Sequence, residues 1–329
     1  MNIIHDLKEL KSPMSGAVVT IGNFDGVHLG HREIFRRLIA RSREMQAPSV
    51  VCTFVPHPLK LLRPDEAPAL ISTYEERERL IRASSIDTLI CLPFTLALAS
   101  YSPERFIDEI LIGKIGMTHL MVGYDYAFGK NRSGNVGFLK RASRDRHFTF
   151  EIFDPFSDGK EIYSSTRVRQ LLSDGDVEKV VNVLGRQFNL EGKVVKGAGR
   201  GRSLGFPTAN LVTEKEILPK MGVYAVKIKV DDRIHDGVAN IGFNPTFDGK
   251  RLSLEVHLFD LKEDLYEKSL RVYFVCRIRD EQRFDSPQRL ISQIHRDVEE
   301  AKAILRQRTL IEYRDYLSQG EQTDVACSC

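Results

Sequence analysis

The chain changes rhythm part-way along. Up to about residue 185, solid apolar runs alternate with stretches in which apolar residues recur every three or four positions; beyond Phe188 the pattern shortens to strict alternation. Ala17–Ile21 (AVVTI) and Ser49–Val55 (SVVCTFV) are continuous apolar runs, the pattern of strands covered on both faces, and Thr88–Leu92 and His119–Val122 repeat it. Between them Arg32–Met45, Tyr74–Ala83 and Pro103–Ile112 read as helices. Strand and helix in turn predict a parallel sheet with helices on both faces.

In the second half Val223–Val230 alternates apolar and basic residues and turns at Asp231-Asp232. Leu252, Leu254, Val256 and Leu258 share one strand face, leaving Ser253, Glu255, His257 and Phe259 on the other, and Arg271–Arg279 repeats the alternation. Short segments of this kind, separated by Gly, Asp and Asn, predict a small β-barrel. An amphipathic helix is predicted from Pro287 to about Leu317.

Composition narrows this only slightly. A chain of 329 residues suits two domains, each with its own core. With 42% hydrophobic and 28% charged residues and a net charge of +3, it reads as an ordinary soluble protein; that charge is too mild to argue for nucleic acid but suits phosphorylated ligands. No apolar run approaches the roughly 18 residues of a membrane span, and MNIIHDLKELKSPMSG lacks a signal peptide's apolar core, so a cytoplasmic location is expected. Of five scattered cysteines without a C-x-x-C pair, Cys52, Cys91 and Cys276 read as buried thiols. Cys327 and Cys329 end a tail that is not a C-a-a-X box and reads as a frayed extension.

Chemistry concentrates in a few stretches. Gly22–His31, GNFDGVHLGH, reads as a tight turn between a strand and the first turn of a helix. His28 and His31, three residues apart, are predicted to lie on one face with their imidazoles together, beside the orphan N–H groups and positive dipole end of the helix, a place for phosphate. Gly30 lets a nucleotide approach the backbone, and Gly22 and Gly26 permit the sharp exit from the strand. Two surface or capping histidines are the plain alternative; the position at a strand's carboxyl end favours a site. Pro56-His57-Pro58 forces an extended loop that aims His57, either a stiff turn or a substrate loop. Gly123–Gly134 (GYDYAFGKNRSG) combines glycine, aromatics and a basic residue in a loop that could stack on a flat ring and meet a phosphate, or could be a plain surface loop. Tyr163–Arg169 (YSSTRVR) either caps a helix or holds polyphosphate. In Lys196–Asn210 (KGAGRGRSLGFPTAN), Gly197, Gly199, Gly201 and Gly205 could turn backbone N–H groups toward anionic oxygens; read by itself it is a basic flexible loop. Glu255, on the polar strand face, is by itself most simply a solvated carboxylate.

GNFDGVHLGH resembles the H-x-G-H signature of the nucleotidylyltransferase superfamily, in the G-x-F-D-G-V-H-x-G-H form found in bifunctional riboflavin kinase/FMN adenylyltransferases, the FAD synthetases. YSSTRVR is similar to the second signature, I-S-S-T-x-x-R, with Tyr163 replacing Ile and Arg169 as its arginine. The P-H-P loop matches, and the loop from Gly123 resembles G-x-D-F-x-F-G-x-x-R-x-G with Tyr126 at a Phe position. KGAGRGRSLGFPTAN closely resembles the riboflavin kinase signature, Glu255 matches the glutamate of its E-x-H-L-F-D strand, and GVANIGFNPTF (Gly237–Phe247) and RIRDEQRFDSPQRLISQI (Arg277–Ile294) resemble further kinase segments.

The resemblance implies a Rossmann-like nucleotidylyltransferase domain over residues 1–185, a six-stranded antiparallel β-barrel kinase domain with a C-terminal helix over 186–305, and an extension over 306–329. It implies phosphorylation of riboflavin by ATP to FMN and ADP, then attack of FMN on a second ATP to give FAD and pyrophosphate. Implied catalytic residues are His28, His31, Arg169 and Glu255. ATP or phosphate falls to Gly22, Phe24, Gly30, Ser164, Ser165, Thr166, Arg167, Gly199, Gly201 and Arg202, and the flavin substrate to His57, Asp125, Arg132, Phe206 and Arg279. Thr208 and Asn210 are the implied Mg²⁺ ligands, hard neutral oxygen donors beside the ATP phosphates. Partners are expected to be small molecules, with no nucleic acid or membrane, in a monomer or weak homo-oligomer. One departure stands at Leu265-Tyr266-Glu267, where the family commonly has Gly in place of Glu267. Two other readings stay open: a nucleotidyltransferase with a different phosphorylated acceptor, which leaves the C-terminal half unexplained, and a non-catalytic flavin-binding protein.

Overall fold

The computed structural model describes residues 1–312 except 158, 160, 198–200, 202, 203, 247, 248 and 262, and side chains at 243–246 and 249–252 are not described. Contacts divide the chain into two compact units, Met1–Ser164 and a second beginning at Ser165.

The first unit is a six-stranded parallel sheet. Its strands are β1 (Asn2–Ile4), β2 (Ala17–Ile21), β3 (Ser49–Val55), β4 (Thr88–Pro93), β5 (Met117–Gly123) and β6 (Thr149–Phe153), in the spatial order β1-β4-β3-β2-β5-β6. The four apolar runs form the centre, each residue of β2 being buried because both sheet faces are covered. The edge strands β1 and β6 went unread in the sequence because short or half-exposed strands lack that signal.

The helices are α1 (Leu29–Glu44), α2 (Pro58–Leu62), α3 (Tyr74–Arg82), α4 (Leu96–Ala99), α5 (Pro103–Arg105), which runs into a π-helical stretch Phe106–Ile115, and α6 (Val136–Arg146). The π-helical stretch and α6 bury Phe106, Ile107, Leu111, Phe138 and Leu139 with Val19, Ile21, Val50, Ile90 and Leu120 of the sheet. Strand residues of the opposite parity, Val18, Val51 and Leu89, are also buried, and α1 and α3 contact these strands with Phe35, Leu38, Leu80 and Ile81 turned inward. Successive strands β2, β3 and β4 step outward in one direction and β5 returns to the other side of β2. The carboxyl ends of β2 and β5 therefore flank a topological switch point, where open α/β sheets bind ligands.

The second unit opens with α7 (Ser165–Asp174) and α8 (Val177–Leu184). They pack on each other, and α8 packs on the last barrel strand in the chain, Ser269–Arg279, so by contacts they group with the barrel. The barrel is closed and antiparallel, from β7 (Asn189–Val195), β8 (Ala209–Thr213), β9 (Gly222–Val230), β10 (Arg233–Thr246), β11 (Gly249–Leu258) and β12 (Ser269–Arg279), in the order β10-β11-β8-β7-β12-β9. Leu254 and Val256 point into it as their alternation requires.

The last described helix, α9, spans Pro287–Arg306 rather than running to Leu317. The Ser286 side chain accepts the Arg289 N–H and Pro287 takes the first turn, a strong start. Beyond Arg306 tertiary hydrogen bonds replace helical ones: the Ile311 N–H donates to the Gln187 side chain at 2.7 Å and the Tyr273 hydroxyl donates to Glu312. α9 lies on β9, β10 and β12, burying Val298, Ala301 and Leu305 against Val238, Val275 and Phe259, so Phe259 is buried under a helix on the barrel's outer side. Among the described residues no helix is long and apolar enough to cross a membrane.

Candidate active sites

After Ile21 the chain leaves β2 in a turn that bends through positive φ at Phe24 (48°), Gly26 (76°) and Val27 (40°). The buried Asp25 carboxylate holds it by accepting the N–H groups of Ile71 and Ser72 at 3.0 and 3.2 Å. A Cβ on Gly26 would stand 2.9 Å from the Ile71 side chain, and one on Gly22 would stand 3.0 Å from the Phe24 ring. Gly22 and Gly26 thus serve close packing as well as the turn.

His28 is the N-cap of α1, its Nδ1 accepting the His31 N–H at 3.4 Å. That bond places the His28 ring proton on Nε2. The two imidazoles stack with centroids 3.6 Å apart and planes 24° from parallel, as the spacing predicts. Phe24 meets the His31 ring edge-on at 5.2 Å. His31 Nδ1 is buried without a hydrogen-bond partner among the described residues. Burial, the neighbouring His28 and the Arg77 guanidinium hold His31 well below the ordinary imidazole value, so near neutral pH it is an uncharged ring. A Cβ on Gly30 would fall 3.1 Å from the His28 ring and 3.2 Å from the Tyr163 carbonyl oxygen. Tyr163, the first residue of the second signature, therefore lies directly on the start of α1. The Tyr163 N–H donates to Phe156 O at 2.9 Å, and Arg37 of α1 stands 4.9 Å over the Phe156 ring.

His57 is buried beside this turn. Its Nδ1 accepts the Leu59 N–H at 3.2 Å, and its Nε2 lies 2.9 Å from the Asn23 side-chain amide. Satisfying both requires the proton on Nε2 and the Asn23 amide oxygen turned to it. Its own N–H donates to the Tyr74 hydroxyl at 3.0 Å.

The sequence pattern places Arg77 only as one residue of the Tyr74–Ala83 helix. It is 2% exposed, donates to Asn23 O at 2.9 Å and to Phe54 O at 3.1 Å, and lies 5.0 Å over the Tyr74 ring. One guanidinium thus ties the exits of β2 and β3, the strands that present His28 and His57. The signal was available in outline: Arg77 recurs with Leu80 and Ile81 on the inward face of α3.

The loop after β5 is closed by reciprocal hydrogen bonds between Phe128 and Gly134 at 3.0 and 2.9 Å. Asp125 and Arg132 are exposed on it, and a Cβ on Gly123 would lie 3.2 Å from Asp125 Oδ1. The aromatic reading needs correction: Tyr126 and Phe128 stack on each other at 5.3 Å and pack into the core, leaving Tyr124 as the exposed ring. The Tyr126 hydroxyl is buried without a hydrogen-bond partner among the described residues, which explains why a phenylalanine suits that place.

In the second signature Ser164 and Ser165 are half-buried and Thr166 is exposed. Arg167 and Arg169 stand half-buried early in α7, and two residues apart they project about 200° apart around the helix axis.

The second constellation gathers on β8 and β11. Glu255 lies directly opposite Asn210 on one side and Asn240 on the other. The Thr208 hydroxyl, just before β8, is 3.4 Å from Glu255 Oε2. Glycines let the preceding loop descend on these groups: a Cβ on Gly201 would be 3.1 Å from Thr208 Oγ1, and one on Gly197 would be 2.1 Å from Asn210 Nδ2. Gly199 and Arg202 lie outside the described residues, as do Cys327 and Cys329.

Phe206 meets His257 and His295 edge-on at 5.7 and 4.9 Å, while His257 Nδ1 lies 2.8 Å from Pro207 O and pins the turn. Arg279 is engaged by α9, donating through Nε and Nη2 to the buried Asp297 at 2.9 and 2.7 Å. Glu267 has φ 66°, the left-handed region that favours glycine.

The family model described as FAD synthetase matches residues 10–167, and that described as riboflavin kinase matches 184–305. The chain is 39% identical over 295 residues to the bifunctional riboflavin kinase/FMN adenylyltransferase of Escherichia coli (strain K12), covering 89% of this chain and 94% of that one. The Pseudomonas fluorescens protein of the same name is 39% identical over 306 residues, covering 92% and 98%. A crystal structure from Streptococcus pneumoniae, described as a macrolide-efflux protein, superposes with a TM-score of 0.81 at 32% identity over 93% of this chain and 99% of its own.

Proposed function

This chain belongs to the bifunctional riboflavin kinase/FMN adenylyltransferase family, and from that premise we propose how its residues share the two reactions. The reactions themselves are phosphorylation of riboflavin by ATP to give FMN and ADP, and adenylylation of FMN by ATP to give FAD and pyrophosphate. We assign adenylylation to residues 1–185 and phosphorylation to 186–305, in the cytoplasm.

The observation that carries the adenylylation site is the stacked pair His28 and His31 at the start of α1, at the switch point of the sheet. FMN's phosphate is already a nucleophile, so the protein must align it with the α-phosphorus of ATP and offset charge growing on the phosphoryl oxygens. The two buried imidazoles, of which His31 is uncharged at rest, do this by N–H donation, and an arriving polyphosphate raises their proton affinity. Arg169, the signature arginine, and Arg167 are assigned to the departing pyrophosphate, with Ser164, Ser165 and Thr166 beside them. Gly22, Phe24 and Gly30 leave room for ATP. Asn23-oriented His57 and the Asp125–Arg132 loop are assigned to FMN.

For phosphorylation, the ribityl hydroxyl needs a proton acceptor, and Glu255 supplies it from beside Thr208. Mg²⁺ fits the hydroxyl and amide oxygens of Thr208 and Asn210, and when bound with ATP it neutralises phosphate charge. The Gly199–Arg202 loop is assigned to the phosphates, and Phe206 and Arg279 to the flavin side, Arg279 acting from its tether on α9.

Product analysis after incubation with riboflavin, ATP and Mg²⁺ separates the two sites. His31→Ala is expected to lose FAD formation by roughly two to three orders of magnitude while FMN still accumulates. Glu255→Gln is expected to lose FMN formation while added FMN is still adenylylated. Equal loss of both products in His31→Ala, or failure of Glu255→Gln to adenylylate added FMN, would refute the assignment.

A further inference from the structure

Three side chains outside both sites come together where β1, β4 and α3 meet. Cys91 lies in β4, and Ile4 of β1 is registered against Ile90 of β4, so continuing that parallel register sets His5 beside Cys91. Glu78 reaches them from α3, which packs on β4. Its Oε1 accepts the Cys91 thiol at 3.6 Å and lies 3.8 Å from His5 Nδ1. One ligand atom from each residue falls within 4.8 Å of the others.

Those separations have a chemical meaning. Bond lengths of 2.0–2.3 Å around a tetrahedral ion give ligand–ligand edges of about 3.3–3.7 Å. The Cys91–Glu78 edge already has that length, and the His5 side chain, 62% exposed, needs only a small rotation to complete the face. We propose that His5, Glu78 and Cys91 form a three-ligand site for a thiophilic divalent cation of the zinc type, with the fourth position open to water.

The donor set selects the ion. A thiolate and an imidazole suit zinc or cobalt and not the hard Mg²⁺ used with ATP, so this site is distinct in kind from the one at Thr208 and Asn210. On binding, the Cys91 S–H bond breaks, its proton passes to solvent and a metal–sulfur bond forms with no redox change. The ion joins the N-terminal strand to α3 one residue after Arg77, the helix that ties the exits of β2 and β3.

Cobalt(II) added to the full-length, metal-stripped protein tests this optically, since a cobalt–thiolate bond adds charge-transfer absorption in the near ultraviolet. The expected result is such absorption at one equivalent, unchanged by millimolar Mg²⁺, abolished in Cys91→Ala and weakened at least tenfold in affinity in His5→Ala. FMN adenylylation in both variants, the activity assigned to the unit that holds these residues, serves as the check that this unit is folded. The Cys327→Ser/Cys329→Ser double variant must keep the absorption. Absence of the band in the unaltered protein, its survival in Cys91→Ala, or its loss in the tail variant each overturns the proposal.

Discussion

His31 illustrates how little of a residue's chemistry its identity dictates. Its ring is held uncharged by burial first, then by His28 and Arg77. The unfolded chain then binds more protons than the folded one between the depressed folded pKa and the ordinary value of 6.5, so stability rises with pH across that window. As pH falls below 6.5 the protein is expected to lose up to about 1.4 kcal/mol per unit from this group, and His31→Asn is expected to flatten that limb in melting curves from pH 8 to 5. Burial holds His119 below its ordinary value as well, and it contributes the same background to both proteins. Identical acid limbs would show that His31 is not depressed. Glu267 makes the opposite case, where the family resemblance pointed to a turn glycine and the backbone obliges with φ 66°. Its exposed pairing with Lys193 is worth little. Glu267→Gly is therefore expected to raise stability by about 0.5–1 kcal/mol in urea titrations, the relief of a left-handed residue outweighing the added freedom of the unfolded chain.

At the level of elements, α3 does more than its charged surface suggests. It carries Arg77, whose two donated hydrogen bonds set the spacing between the loops holding His28 and His57. Arg77→Met is expected to lower the kcat of FMN adenylylation by roughly 10- to 100-fold while riboflavin phosphorylation stays intact, because small displacements of aligned groups are expensive in rate. Lys at this position restores little, since one ammonium cannot span two carbonyls as the guanidinium fork does. A matching fall in the melting temperature of the N-terminal unit would point to unfolding instead. α9 is fastened comparably, by Arg279 of β12 donating to the buried Asp297, which Gln293 steadies from one turn earlier in the helix, so a residue read as a flavin contact also holds a helix to its barrel.

In the whole molecule, two ATP-using sites on one chain imply that each can work while the other is disabled. Mixing His31→Ala with Glu255→Gln is expected to restore FAD synthesis from riboflavin, FMN made by one chain being used by the other, and a mixture no better than either alone would argue against independent sites. The alternation of apolar runs with helical periods determined a parallel sheet, the shift to period two determined a barrel, and the motifs placed the candidate chemistry, because these depend on neighbours in the chain. Edge strands β1 and β6, the early end of α9 and the grouping of α7 and α8 with the barrel were decided by tertiary contacts. So were the inward turn of Tyr126 and Phe128, the burial of Arg77 and the charge state of His31. Each depends on what another part of the chain brings within a few ångströms, and that is settled by packing and desolvation rather than by local pattern.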